Sequence, residues 1–189
     1  DLVNEIKMLE VIRALEETGP MTLVPTFMGA HEVPPEFRQN PEAYVDLVIT
    51  RMIPMVASRK LARFCDVFCE TDVFSVAQTE RILQAAQAVG LELRVHADEL
   101  TDLGGAALAA RMKARTADHL LFANDDGVRA MAEAGVIAVL LPGTAYFLHM
   151  QRYARARDMI EAGVAVALAT DFNPGSCMTE SLPLIMNLA

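Results

Sequence analysis

The sequence predicts an α/β fold, part of a (β/α)8 TIM barrel, in which parallel strands alternate with helices. Short apolar runs recur at intervals of roughly 23 to 40 residues, with helical stretches between most of them. The runs are near-continuous, as in strands buried on both faces, and a hydrophobic share of 53% agrees with that burial. No G-x-G-x-x-G or G-x-x-x-x-G-K-[ST] pattern follows a run, which disfavours a nucleotide-binding sheet. Six strand–helix units also exceed what a small open sheet needs. A chain of 189 residues is long enough for one substantial domain with its own core.

Taken in order, residues 1–20 place Leu2, Ile6, Leu9, Ile12 and Leu15 on one helical face, and Gly19-Pro20 ends the helix. A helix at residue 1 with no leader predicts a chain that starts inside a larger protein. MTLVPTFMGAH (21–31) reads as a strand ending at His31, and CDVFCE (65–70) as one ending at Glu70. The amphipathic helix SVAQTERILQAAQAVG (75–90) follows. LELRVHADE (91–99) is a strand with His96 at its end, and TADHLLF (116–122) carries His119 ahead of the helix DDGVRAMAEAG (125–135). VIAVLLPG (136–143) is a strand closed by Pro142-Gly143. VAVALATD (164–171) delivers Asp171, with the turn Asn-Pro-Gly-Ser behind it. ESLPLIMNLA (180–189) begins an apolar helix that halts at Ala189 without a cap.

Composition narrows the function. The net charge is −9, and Lys and Arg are scattered rather than grouped with aromatics, which argues against nucleic acid and anionic membranes as partners. Residues 134–151 carry no Lys, Arg, Asp or Glu, but Pro142-Gly143 divides that run into a strand, a loop and a polar-edged segment rather than a membrane helix. Three cysteines, Cys65, Cys69 and Cys177, form an odd and sparse set that fits reduced core thiols in a cytoplasmic protein better than disulfides or a metal knot.

The chemistry is concentrated where strands end. Three of the four histidines, His31, His96 and His119, sit at or just past strand C-termini, and so does Asp171. In a barrel those ends share one mouth. Imidazole and carboxylate donors delivered from separate strands suit Zn or Fe and leave room for water and substrate. Glu99, three residues after His96, is placed to handle a proton without being a ligand. Each residue has a plainer reading as well. His149 lies past the LLPG strand and reads as structural, Glu99 would serve as an acid at a helix start, and Asp171 as a turn or N-cap carboxylate.

The segments TFMGAHEVPPEF, DVFCETDVFS, HADEL, TADHL, LLPGTAYFL and ALATDFNPGS follow one another along the chain. In that order they resemble the imidazolonepropionases of the amidohydrolase superfamily. The resemblance implies hydrolysis of 4-imidazolone-5-propanoate to N-formimidoyl-L-glutamate in histidine degradation, with one Zn2+ or Fe3+ per site and a homodimeric full-length protein. It implies His96 and Asp171 as metal ligands, Glu99 as the acid/base that also contacts substrate, and His119 as the group polarising water or the scissile carbonyl. It implies His31, Asn173, Gly175 and Ser176 as substrate contacts.

The family's His-x-His metal pair would fall before residue 1, since the chain contains no His-x-His. The expectation is therefore an incomplete catalytic barrel over 1–189, corresponding to about strands three to eight. The first strands, an accessory β-domain and the C-terminal end would lie outside it, and the isolated piece would be inactive. Two other readings stay open: an amidohydrolase or deaminase acting on another small heterocycle, and a non-catalytic barrel module.

Overall fold

A computed structural model describes residues 2–189, and the chain divides into two compact units, one up to Arg94 and one from Val95.

The first unit begins with α1 (Leu2–Thr18) and strand β1 (Thr26–Ala30). The expected apolar face of α1 is only partly used. Ile6 and Leu9 are buried, Leu2 and Ile12 are half-buried and Leu15 is exposed. Helical spacing shows which residues share a face, and packing decides how much of that face is covered.

Helix α2 (Pro41–Leu47), capped by the Asn40 side chain, runs through a π-helical turn at Val48–Met52 into α3 (Ile53–Ser58). Pro54 supplies a cause for the π turn. Its ring excludes a regular α-helical bond and crowds the carbonyl one turn back. The Tyr44 hydroxyl donates to Gly29 O at 2.7 Å and ties α2 to β1. Burial pushes the Tyr44 phenol up to about 12.

Strand β2 (Phe64–Cys69) pairs parallel with β1, Thr26 opposite Phe64, and is buried along almost its whole length. Both faces of such a strand are covered, which is why CDVFC, Asp66 apart, is apolar without alternation. Helix α4 (Val76–Ala88) follows behind a capping box in which Ser75 and Gln78 satisfy each other's backbone N–H groups. The first residue of β3 (Glu92–Ala97) then donates its N–H to Arg63 O beside β2. Phe27, Val45, Val48, Met52, Ile53, Ile82 and Leu83 form the core of this unit.

The second unit starts within β3. Helix α5 (Gly105–Arg111) leads to β4 (Thr116–His119), α6 (Asp125–Ala134) to β5 (Ile137–Leu140), and α7 (Pro142–Phe147) with α8 (Ala156–Glu161) to β6 (Val166–Leu168). Helix α9 (Leu182–Leu188), capped by Ser181, ends it. Strands β4, β5 and β6 are parallel neighbours in chain order, with Thr116 opposite Ile137 and Ala138 opposite Val166. Parallel strands joined through helices are the predicted α/β pattern, and all six expected strands form.

Two boundaries differ from the sequence reading. Pro142-Gly143 does not form a loop after β5 but opens α7, with Pro142 at the start where its missing N–H costs nothing. The last strand stops at Leu168, so Asp171 lies three residues beyond it in a loop. Residues 134–151 are thus a helix end, a strand and a short helix, and no helix among the described residues is long and apolar enough to cross a membrane.

Candidate active site

The second unit gathers four of the expected residues. His96 is the penultimate residue of β3, Glu99 stands in the loop after it, His119 is the last residue of β4, and Asp171 follows β6. His119 Nε2 lies 3.5 Å from Glu99 Oε2 and 3.9 Å from Asp171 Oδ2. The His96 and His119 rings are 5.1 Å apart with planes at 51°. His96 Nδ1 is 3.9 Å from Asp118 Oδ2. His119 is 2% exposed, so its imidazole works in a setting poor in water.

Backbone geometry explains how these side chains converge. The end of β4 is bonded back onto the end of β3: Leu120 donates its N–H to Ala97 O at 3.1 Å, and Phe122 to Asp98 O at 2.8 Å. That turn forces φ to 74° at His119 and 60° at Leu120, and Asp98 and Asp171 also adopt left-handed φ, 49° and 52°. Non-glycine residues in this region cost about 1–3 kcal/mol each and persist where the surroundings dictate them. Here they occur at or next to the residues that make the cluster.

Asp98 had no assigned role from the sequence, yet it shapes the loop carrying Glu99. Its carboxylate is buried and accepts backbone N–H groups from Leu103, Gly104 and Gly105 on Oδ1 (3.1, 2.9 and 2.9 Å) and from Ala106 on Oδ2 (2.9 Å). Burial raises its pKa from the ordinary carboxylate value, against the lowering pull of the N–H groups of Ala106, Gly105 and Gly104. Gly105 permits this close folding, because a Cβ there would fall 2.8 Å from the Ala97 Cβ. Helix α5 therefore takes its start from Asp98, and Glu99 next door is left to the cluster.

The turn after Asp171 is closed by Asn173. Its Oδ1 accepts N–H from Gly175 (2.9 Å) and Ser176 (2.8 Å), and its Nδ2 donates to Asp171 O (2.8 Å) and Ser176 Oγ (2.9 Å). Asn173, Gly175 and Ser176 thus stand together as expected, but their donors are turned inward on the Asn173 side chain.

His31 belongs to the first unit, immediately after β1, with Nε2 3.4 Å from Asp66 Oδ1 on β2. His149 is exposed in the turn after α7. Cys65, Cys69 and Cys177 are buried and none joins a disulfide, and burial raises the Cys65 thiol pKa.

The donor set fits a metal ion. His96, His119 and Asp171 each offer one ligand atom, and these atoms lie within 4.8 Å of one another. Two imidazoles and a carboxylate match the ligand chemistry of Zn and Fe, and the Glu99 carboxylate lies beside them.

Parallel strands carry this donor set at their ends, and the chain belongs to the amidohydrolase family, whose profile matches residues 5–188. Among its curated relatives are the imidazolonepropionases of Shouchella clausii, 59% identical over 185 residues, and Symbiobacterium thermophilum, 57% identical over 189. The match covers 98% and 100% of this chain but only 41% and 44% of theirs, so the chain spans less than half the length of these relatives. A guanine deaminase from C. acetobutylicum superposes over 100% of this chain and 48% of its own, with a TM-score of 0.69 at 11% identity. An adenosine deaminase from Xanthomonas campestris with bound Zn does so over 86% and 39%, with a TM-score of 0.59 at 16% identity. At such identities the likeness shows the fold alone.

Proposed function

We propose that the full-length protein hydrolyses 4-imidazolone-5-propanoate to N-formimidoyl-L-glutamate, with this chain supplying part of its catalytic barrel. The observation that carries the proposal is the convergence of His96, His119 and Asp171 beside Glu99, in a chain 53–59% identical to imidazolonepropionases. His96 and Asp171 would hold one Zn2+ or Fe3+. When bound, the ion lowers the pKa of water and polarises the carbonyl.

The chain's own groups do the proton work. Glu99 accepts a proton as water adds to the ring carbonyl and returns it to the ring nitrogen as the C–N bond breaks, which yields the carboxylate and the formimidoyl amine. His119, 3.5 Å from Glu99, orients the water or the carbonyl from a buried position that strengthens its field. The propanoate arm is anionic, and the N–H groups of Gly175 and Ser176 can pass to it from Asn173 Oδ1. His31 and Glu99 complete the substrate contacts. Three buried cysteines outside any disulfide support a reducing, cytoplasmic setting. The resemblance to the family supports a homodimer, which light scattering on the full-length protein checks.

The test uses the full-length protein with Asp171→Ala and Glu99→Gln. Asp171→Ala should lose both metal and hydrolysis. Glu99→Gln should keep the metal and lose about 10²–10⁴-fold in rate, the usual cost of a missing acid/base. A wild-type protein that leaves the imidazolone intact yet releases ammonia from guanine would overturn the assignment, as would a metal-free Glu99→Gln protein.

A further inference from the structure

The Asp171 carboxylate is gripped from outside its own loop. Thr144, in the first turn of α7 and 1% exposed, donates its hydroxyl to Asp171 Oδ2 at 2.6 Å. This is the same oxygen that lies 3.9 Å from His119 Nε2. The length is that of a charge-assisted O–H···O⁻ bond, roughly twice as strong as a neutral one.

The donor itself is firmly placed. Helix α7 starts at Pro142, and Gly143 lets it approach its neighbours so closely that a Cβ there would fall 2.6 Å from Ile185 Cδ1 and 3.0 Å from Cys177 Sγ. Asp171 holds a left-handed φ of 52°, and its carbonyl is bonded by Asn173. The carboxylate thus hangs from a strained residue, and Thr144 restrains its rotation.

We propose that Thr144 is a positioning residue for metal binding, holding the Asp171 carboxylate toward His96 and His119 before any ion arrives. The inference rests on the reading of Asp171 as a ligand. Without the hydroxyl, the ion must itself immobilise the carboxylate, and loss of such an outer partner typically weakens metal affinity by about 10–100-fold. The LLPGTAYFL segment then has a chemical use: Pro142 and Gly143 seat the helix, and Thr144 reaches the site.

The experiment measures Zn2+ affinity of the full-length protein by competition with a chromogenic chelator, in wild type and in Thr144→Val, Thr144→Ser, Asp171→Asn and Asp171→Asn/Thr144→Val. Thermal unfolding of each metal-free protein runs alongside. Valine keeps the shape and removes the hydroxyl, so affinity should fall about 10–100-fold with the metal-free Tm held within a few degrees. Serine should rescue affinity to within a few-fold of wild type. In the Asp171→Asn background, adding Thr144→Val should weaken binding far less, because the carboxylate that accepts the charge-assisted bond is gone.

If the valine variant does not fold, Thr144→Ala takes its place as the hydroxyl-less arm. Wild-type affinity in the hydroxyl-less variant, or equal losses in valine and serine, would overturn the role of Thr144. Wild-type affinity in Asp171→Asn would instead overturn the ligand reading on which it rests.

Discussion

Replacing Asp98 by asparagine tests the loop that carries Glu99. With its oxygen in the Oδ1 position, the asparagine keeps the N–H groups of Leu103, Gly104 and Gly105 and turns an NH2 toward the N–H of Ala106. One buried donor is then opposed by another, at a cost of about 1–3 kcal/mol. Against this, an amide is easier to bury than a carboxylate, and burial is the largest influence on Asp98. The expected net loss is about 1–2 kcal/mol, equal to about 2–4 °C per kcal/mol in a protein of 150–250 residues and less in a longer one.

Urea unfolding reads the free energy, and hydrogen exchange reads the amides of residues 103–106 directly. Exchange there should accelerate in Asp98→Asn, and further in Asp98→Ala, which leaves all four N–H groups without the carboxylate. On the proposed function, kcat of the full-length protein should fall while metal content stays, because Glu99 loosens and the donor cluster does not. Unchanged stability together with unchanged protection at 103–106 would refute the account of Asp98.

Two further outcomes are expected. The Tyr44 pKa is raised to about 12 by burial, above the value of about 10 in an unfolded chain. The folded state therefore holds the proton more tightly. The contribution is intact below pH about 10 and declines toward pH about 12 by about 1.4 kcal/mol per unit. Tyr44→Phe should abolish that alkaline slope and, by losing the bond to Gly29 O, lower neutral-pH stability by about 0.5–1.5 kcal/mol; an unaltered slope in urea unfolding between pH 9 and 11 would contradict it. His31→Ala should lower kcat/KM while metal content, read by atomic absorption, stays near wild type. Loss of metal would contradict its assignment to substrate.

The strands were legible because each is a dense apolar run between helical stretches, and parallel burial leaves little else for such runs to be. The gathering of His96, Glu99, His119 and Asp171 was legible too, since parallel strands send their ends the same way. The supporting residues were not. Asp98 reaches its helix start across five to eight residues, a spacing outside the short-range capping pattern. The bond from Thr144 to Asp171 spans 27 positions and depends on where α7 packs. Pro142 looked like a strand stop because proline both ends strands and begins helices, and the residues after it decide which. The half-covered face of α1 shows the same limit: spacing orders a face and says nothing about its partner.

The left-handed backbone at Asp98, His119 and Asp171 bears on any attempt to improve this protein by directed evolution. Glycine adopts that conformation without steric penalty. Glycine at positions 119 and 171 would relieve that strain, but it would also empty the space of a buried imidazole or strip Thr144 of its acceptor, and either change would erase a member of the cluster. Libraries built for robustness should hold these codons fixed, and a thermotolerant isolate that has lost turnover should be sequenced there before anywhere else.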